Sequence, residues 1–350
     1  MITVSRLHPV VRIAPAKLNL TLAVLGRRPD GFHDLHSVMV PLRLADIVSV
    51  APAAGQEDTL AVAGLAGGLV ADPVADNLVL RAIHATREAV RAALGPGHAV
   101  PALAARLDKR IPIAAGLGGG SSDAAAAIGA ALDAWRVAAA MSPADVATLT
   151  ERVAARLGSD VPFFLAAGAA VVTGRGERVE PLPALRGAGP GVLLVTPSVA
   201  GPTPAVFAAF DHEPNGTPSD RGSSARSSEH LAHEWRVGLR ADALMARAGV
   251  LASANDLVNA AAVVVPGLRE LRRALGRHLV RPVGISGSGP TLWVLYASPV
   301  DAQFAAEAVR EGLADGSIVA PGVGNPSIVS TAIAASPVPP NPALEQGGIP

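Results

Sequence analysis

The chain has 350 residues, half of them apolar, and its 29 basic residues balance 29 acidic ones. It has no cysteine, which excludes disulfides, thiolate metal sites and cysteine nucleophiles. The length suffices for two medium domains, the balanced charge argues against a nucleic-acid partner, and no apolar run reaches the roughly 18 residues of a transmembrane helix. The first residues also lack the apolar core of a signal peptide, so we expect a cytoplasmic protein without membrane association.

The first third of the chain predicts strands, then a helix, then a strand. Residues 10–26 alternate in part and predict a strand with a break at Pro15, and residues 37–53 predict one or two more. Residues 76–94 have apolar positions at helical spacing after an Asp-Asn start. The next segment, 101–116, predicts a strand that runs into a glycine loop.

The glycine loop is the most unusual local feature, with four glycines among residues 116–120 directly before an alanine-rich helix. Such a loop is typical of an anion site, because unpaired backbone N–H groups and the positive end of the helix dipole converge there. Ser121, Ser122 and Asp123 are suitable N-cap residues for that helix. The alternative is a tight turn without function.

The remaining elements continue an α+β pattern. Ser142 followed by proline predicts the start of a helix over 142–157. A strand pair around a Gly-Arg-Gly turn and a buried strand at 191–197 follow. We then expect a mobile polar loop at 211–230 and helices near 231–247 and 255–276. The last predicted elements are two strands around a second glycine loop in 281–297, a helix over 301–314 and a disordered proline-rich tail at 335–350. We therefore predict an N-terminal lobe over 1–170 and a C-terminal lobe over 171–334.

Lysine usage marks two positions. Only Lys17 and Lys109 are lysines, whereas the other 27 basic residues are arginines. A lysine that persists in such a chain can mark a site where a compact ammonium is needed and a planar guanidinium does not fit. Chance is the alternative, but both lysines lie beside motifs.

Common nucleotide motifs match the glycine loop poorly. It contains no G-x-x-x-x-G-K-[ST], so it is not a Walker A loop. Asp133 lies too near the loop for the ribose-binding acid of a Rossmann fold. The pattern from Pro112 to Ala124, Pro-x-x-x-Gly-Leu-Gly-Gly-Gly-Ser-Ser-x-Ala, instead resembles the nucleotide loop of the GHMP kinases, a family of small-molecule kinases.

Two further motifs of this family occur in the right order, PAKLNLTLAVLGRRPDGFHDLHSV near the start and VGISGSGPTLWVLY near the end. The first motif, with DNLVLRA, LGSDVPFF and PTPAVF, is similar to the branch of the family that phosphorylates the 2-hydroxyl of a cytidine-diphosphate-linked methylerythritol in the non-mevalonate isoprenoid route. The resemblance covers about residues 10–330. It implies a two-lobed GHMP kinase fold with its site in the cleft between the lobes, an ATP-dependent reaction with Mg²⁺, and a monomer or weak dimer.

The resemblance implies roles for the loop and its neighbours in binding ATP. Asn77 either faces the adenine or only caps a helix, and Lys109 is either a nucleotide ligand or a surface lysine. Ser122 is a candidate magnesium ligand. The loop residues expected to hold ATP are Pro112, Ile113, Ala114, Ala115, Gly116, Leu117, Gly118, Gly119, Gly120, Ser121 and Ser122.

By the same resemblance Asp160 is the catalytic base. A carboxylate beside an apolar run needs a partner to stay ionised, and Lys17 is expected to provide it. Asn19 points to the same side of a strand as Lys17 and is expected to bind substrate hydroxyls. The alternatives are a turn aspartate at Asp160 and an outward-pointing strand lysine at Lys17.

The substrate base has its own candidates. Phe32 and His33 resemble a cytidine-binding pair in which the family commonly has tyrosine at the first position; phenylalanine retains the stacking face and lacks the hydroxyl. Phe207 is expected to close the other side of the base with Thr203 nearby, although Phe207 could belong to the core. Gly287 and Gly289 either bring a second backbone loop to the reaction centre or form a plain hairpin turn.

Three other functions stay open at this point. One is a homoserine or mevalonate kinase of the same family, but the substrates of these kinases carry no base that could stack on Phe32. A nucleotide-binding regulator would have lost catalysis, against which an intact Lys17 and Asp160 argue. A dinucleotide oxidoreductase would bind NAD and show no kinase activity.

Overall fold

The fold is taken from a computed structural model, which describes residues 9–65, 76–166, 168–212 and 218–334. Within these ranges the chain forms two sheets with helices packed around them. None of the helices in these ranges combines the length and apolar character needed to cross a membrane. The tail expected at 335–350 lies outside the described residues.

The first sheet is organised around one long strand. The segment 37–53, predicted as one or two strands, belongs to a single strand of 20 residues. The predicted strand 10–26 forms two strands, and both of them pair with this long strand. The first of these pairings has a register shift between Pro15 and Lys17. All neighbours pair antiparallel except β4 and β5. The strands are β1 (Val10–Asn19), β2 (Ala23–Arg27), β3 (His33–Pro52), β4 (Thr59–Ala63), β5 (Leu103–Asp108), β6 (Ala170–Gly174) and β7 (Arg178–Pro181). Their order is β4-β5-β3-β6-β7, with β1 and β2 paired to β3.

Two helices, α1 (Leu78–Leu94) and α2 (Gly119–Ala134), pack against this sheet, and a third, α3 (Pro143–Leu157), packs on these two helices. Ser142 caps α3 as predicted, with its hydroxyl accepting from the Asp145 backbone N–H. The predicted cap of α2 at residues 121–123 is wrong, because the helix already begins at Gly119 and Gly118 takes the N-cap position. The buried alanines of α2 let it pack closely between α1 and the sheet.

The second sheet has four antiparallel strands in the order β11-β8-β10-β9. They are β8 (Gly191–Thr196), β9 (Gly284–Ile285), β10 (Leu292–Tyr296) and β11 (Ser327–Ala332). The helices that follow β7 in the chain are α4 (Thr203–His212), α5 (Pro218–Arg236), α6 (Ala241–Ala246), α7 (Ala248–Ser253), α8 (Val258–Val264), α9 (Leu268–Leu279) and α10 (Pro299–Ala314).

The mobile loop predicted at 211–230 is wrong where the structure describes it, because residues 218–230 belong to α5. Ser228 of α5 is fully buried, and its hydroxyl lies 2.7 Å from Thr21 Oγ1 and 2.7 Å from His36 Nδ1. Small polar side chains can pack a helix against a strand when they find hydrogen-bond partners. Composition alone does not show that these partners exist.

Two predicted helices are divided. The segment 231–247 contains the end of α5 and all of α6, separated around Gly238. The segment 255–276 is broken at Val265–Gly267 into α8 and α9. Pro266 lacks a backbone N–H and cannot continue the hydrogen-bond ladder of α8.

The two sheets share part of their core. Leu18 and Val40 of the first sheet belong to the same buried cluster as Leu194 and Trp293 of the second. The lobe boundary we predict at residue 170 lies at the start of β6, which pairs with β3, so the first sheet continues past this boundary to the end of β7. The chain passes from one sheet to the other between β7 and β8.

Candidate active site

A cavity of about 810 Å³ lies between the two lobes. The loop 112–118 and the start of α2 form one wall, and the start of α4 and the loop 286–290 contribute to the rest of the lining. Three predicted site residues do not line it: Leu117 belongs to the buried core, Ser122 is buried, and Gly289 lies outside the lining. The predicted residues that do line it are Lys17, Asn19, Phe32, His33, Asn77, Lys109, Pro112, Ile113, Ala114, Ala115, Gly116, Gly118, Gly119, Gly120, Ser121, Asp160, Thr203, Phe207 and Gly287.

The glycines of the loop are required by close approach. A Cβ at Gly116 would lie 2.3 Å from the carbonyl oxygen of Ser286, and a Cβ at Gly118 would lie 2.9 Å from Lys17 Cγ. Both glycines have positive φ, 75° and 69°, which side chains disfavour. The first turn of α2 lines the cavity, and the first backbone N–H groups of a helix have no intrahelical partner. This wall can therefore bind an anion.

Lys17 and Asp160 face each other in the lining of the cavity. The Lys17 Nζ lies 3.5 Å from Asp160 Oδ2, and the lysine side chain is only 4% exposed whereas the aspartate is 31% exposed. Lys17 comes from β1, and Asp160 lies in the turn after α3. The buried ammonium thus faces a carboxylate that remains open to the cavity. A carboxylate held beside an ammonium can accept a proton from a bound hydroxyl.

Asn19 holds the Lys17 ammonium from the other side. Its Oδ1 accepts a hydrogen bond of 2.6 Å from Lys17 Nζ, and its amide nitrogen donates to Ser37 Oγ at 2.8 Å. The Ser37 hydroxyl donates in turn to the Thr21 carbonyl. Asn19 was predicted to bind substrate hydroxyls; it lines the cavity, and in this arrangement its polar atoms orient Lys17.

Lys109 is buried below the loop and is not a surface lysine. Its Nζ donates to Asp46 Oδ2 and, at 2.8 Å, to Asp123 Oδ2. Asp46 also accepts the backbone N–H groups of Arg110 and Ile111, which fixes the strand end that leads into the loop. Burial raises the pKa of Asp123 to about 7, although the nearby Lys109 ammonium acts in the opposite direction.

Two oxygens at the start of α2 lack partners. Ser122 Oγ and Asp123 Oδ1 are buried without a hydrogen bond, and of these two residues only Asp123 lines the cavity. Mg²⁺ binds oxygen ligands and is often held by one or two carboxylates together with substrate phosphates. The free Asp123 oxygen fits that use. Nowhere in the described ranges do three His, Asp or Glu side chains form a metal site by themselves.

The aromatic end of the cavity contains Phe32, His33 and Phe207. The Phe207 ring stacks on His33 with centroids 4.9 Å apart, so in this structure it lies against the histidine. His33 Nε2 lies 2.7 Å from Asp211 Oδ1. The Phe32 ring is half-exposed, and its centroid lies 5.2 Å from Arg175 Cζ, which stands over one face of the ring. A flat base can stack on the exposed Phe32 face next to the oriented histidine.

Three further predicted residues line the cavity and also make structural contacts: Asn77, Thr203 and Gly287. The Asn77 side chain caps α1 by accepting from the Val79 N–H at 2.9 Å, and the residue also lines the cavity. Thr203 Oγ1 lies 2.9 Å from Ser288 Oγ, which joins the start of α4 to the second glycine loop. Gly287 lies in the hairpin between β9 and β10, and a Cβ there would lie 3.1 Å from Lys17 Nζ. The hairpin thus brings its backbone to the central lysine.

Three acidic partners of the site residues were not predicted from the sequence: Asp46, Asp123 and Asp211. Asp123 was interpreted as a helix cap, Asp46 was not singled out, and Asp211 was assigned to a mobile loop. The rarity of lysine was the only signal for Asp46 and Asp123, since a buried ammonium requires a carboxylate. No local pattern indicates that Asp211 meets His33, 178 residues earlier.

The chain is similar in sequence to known proteins. The N-terminal domain of GHMP kinases matches residues 77–168, and the C-terminal domain of GHMP kinases matches residues 239–315. The chain is 38% identical over 306 residues to the 4-diphosphocytidyl-2-C-methyl-D-erythritol kinase of Heliobacterium modesticaldum, an alignment that covers 85% of this chain and 90% of the relative. It is 40% identical, with the same coverage, to the kinase of that name from Gluconacetobacter diazotrophicus.

Solved structures give the same grouping. A crystal structure of 4-(cytidine 5'-diphospho)-2C-methyl-D-erythritol kinase superposes with a TM-score of 0.62 and 31% identity, covering 93% of this chain and 100% of the other. Homoserine kinase from Cytophaga hutchinsonii superposes with a TM-score of 0.65 but only 17% identity, covering 95% and 96%. The second similarity concerns the fold alone.

Proposed function

Because the chain belongs to the 4-diphosphocytidyl-2-C-methyl-D-erythritol kinase family of GHMP kinases, we propose that it transfers the γ-phosphoryl group of ATP to the 2-hydroxyl of 4-diphosphocytidyl-2-C-methyl-D-erythritol. This is a step of the non-mevalonate route to isoprenoid precursors. The observation that carries the proposal is the Lys17–Asp160 pair, which lies in one cavity with an anion-binding loop and an aromatic-histidine subsite.

Direct transfer needs a base, an anion site and compensation of charge on the moving group. Asp160 accepts the proton of the attacking hydroxyl, and the Lys17 ammonium stabilises the developing alkoxide. Asn19 orients Lys17. The backbone N–H groups at the start of α2 and the loop 112–118 hold the triphosphate. Asp123 would contribute an oxygen to Mg²⁺, which would offset phosphate charge.

The cytidine end is assigned to Phe32 and His33. Phe32 provides a stacking surface, and His33 reads the polar edge of the base while Asp211 orients its ring. The smaller substrates of homoserine and mevalonate kinases carry no base for this subsite. Phe207 supports His33 by stacking and does not need to touch the base.

The first experiment measures ADP release with magnesium-ATP and three acceptors: 4-diphosphocytidyl-2-C-methyl-D-erythritol, homoserine and mevalonate. We expect turnover with the cytidine compound alone. Turnover with homoserine or mevalonate would retain the kinase assignment and contradict the substrate. ATP binding without turnover on any acceptor would support a nucleotide-binding regulator instead.

Two wider predictions stay with this proposal. We predict a cytoplasmic protein that is a monomer or weak dimer. Sedimentation equilibrium over a range of protein concentrations tests the oligomeric state, because a weak dimer dissociates on dilution.

A further inference from the structure

A second cavity of about 380 Å³ lies among α8, α9 and the strands β9 and β10, separate from the lining of the first. One wall is apolar and contains Val283, Ile285 and Leu292. The other wall carries the arginines of α9. The volume is within the range of small-molecule sites, which combine apolar walls with a few polar groups.

Three arginines on one helix face line this cavity: Arg269, Arg272 and Arg273. Their spacing of three and four residues places them side by side on α9, where like charges destabilise the helix. No carboxylate lines the cavity, and within the described residues none of the three forms an ion pair. The cluster thus carries uncompensated positive charge.

Arg272 is fixed in place by neutral groups. Its Nε donates to the Val283 carbonyl at 2.7 Å, and one terminal nitrogen donates to the Ala252 carbonyl at 3.0 Å. The residue is half-buried, and this burial lowers its pKa. A positioned, partly desolvated guanidinium without an acidic partner is well suited to bind an anion.

Gly276 keeps the space open. It lies in the interior of α9 on the same face as the arginines, where alanine would favour the helix. An added Cβ would make only ordinary contacts, 3.6 Å from the Arg281 carbonyl oxygen and 3.8 Å from Val283 Cγ2. Close packing therefore does not require glycine, and its effect is to leave room beside Arg272 and Arg273.

The cavity is adjacent to the frame of the active site. Ile285 lines it and precedes the second glycine loop directly. The Asn255 amide donates to both the Ile285 and Gly287 carbonyls, and Val258, three residues later, also lines the cavity. A ligand here would contact the segments that hold Gly287 against Lys17.

We propose that this arginine-lined cavity is a second ligand site, and that it binds a small organic phosphate with a short apolar group. The phosphate pairs with the guanidinium groups of Arg269, Arg272 and Arg273. The apolar group packs on Ile285 and Leu292.

The test is calorimetric titration of the full chain, with its nucleotide site saturated by ADP, using isopentyl phosphate as the probe. Inorganic phosphate and isopentanol are matched controls for the two halves of the probe. We expect isopentyl phosphate to bind at one site more tightly than either control. No binding at millimolar concentration, or equal affinity for inorganic phosphate, would contradict the proposal.

Variants locate the binding. The double variant Arg269→Gln with Arg273→Gln should bind isopentyl phosphate at least about tenfold more weakly, because charge-assisted hydrogen bonds are lost. Gly276→Leu should abolish binding by filling the cavity. Arg277→Gln, on the same helix but outside the lining, is the control and should leave the affinity unchanged. Each variant must keep the wild-type melting temperature and ADP affinity. Unchanged probe affinity in both cavity variants would overturn the assignment.

Discussion

At the residue scale, the two lysines of the chain occupy positions that a guanidinium would not fit. Lys17 Nζ is enclosed by Asn19 Oδ1, Asp160 Oδ2 and the Gly287 backbone. Lys109 Nζ lies between Asp46 and Asp123, and a Cβ on Gly119 would be 2.9 Å from it. A compact ammonium satisfies these partners, whereas the wider arginine head group would displace them.

We predict that Lys17→Arg lowers kcat by about 100-fold or more, the usual scale for loss of acid–base assistance, although the charge is kept. The displaced hydroxyl would no longer reach Asp160. Steady-state kinetics measure kcat, and ADP titration tests whether the nucleotide wall is intact. Asp145→Asn, a change of an exposed acid in the first turn of α3, is the control and should leave kcat unchanged. Near-normal kcat in Lys17→Arg would remove Lys17 from the mechanism.

Lys109→Met should destabilise the protein by about 3–5 kcal/mol, because Asp46 and Asp123 would remain buried without their cation. Urea unfolding measures the change. Adding Asp123→Asn to the same chain removes one of the stranded carboxyl groups and should restore part of the loss. A loss below about 1 kcal/mol, the scale of an exposed pair, would show that the cluster is solvated.

At the scale of elements, α5 shows how tertiary contacts override composition. Its polar, serine-rich sequence is typical of a loop, and the helix forms against the first sheet through Ser228, Thr21 and His36. The elements with clear periodicity or caps, α1 and α3, follow their local signals. Here the sequence pattern and the tertiary contacts favour the same structure.

The contact between α5 and β3 should depend on pH. Burial lowers the pKa of His36 below its ordinary value of 6.5, so the unfolded chain binds the proton more tightly. Stability should therefore fall as pH decreases through 6.5 toward the pKa of the folded state. Between pH 7.5 and pH 5, the melting temperature of the wild type should fall by more than that of His36→Gln. His212→Gln, at an exposed position, is the control, and equal losses in wild type and His36→Gln would contradict the prediction.

At the scale of the whole molecule, the active site depends on contact between the two glycine loops. Ser286 Oγ donates to the Gly116 carbonyl at 3.0 Å, and the Thr291 N–H donates to the Ala115 carbonyl. These bonds join the glycine loop of the first lobe to the hairpin between β9 and β10. The cavity geometry therefore requires both lobes to be folded and docked.

Gly116→Ala tests this joint. Its Cβ would approach the backbone oxygen of Ser286, and its φ would remain in the left-handed region, so we expect a loss of at least about 2 kcal/mol in unfolding free energy and weaker ADP binding. Gly55→Ala, where no atom lies within 4 Å of the added Cβ, is the control. If both variants unfold alike, the two loops do not need their close approach.

The sequence by itself determined the family and the α+β class and predicted an anion loop, because motifs and glycine runs are local in the chain. The resemblance, and not a local pattern, predicted that Lys17 pairs with Asp160, because these residues are far apart in the chain. Only the tertiary structure decided that Asp46 and Asp123 neutralise Lys109, that Asp211 orients His33, and that Phe207 stacks on that histidine. Such pairings depend on which distant segments the fold brings within a few ångströms, and no local pattern encodes that distance.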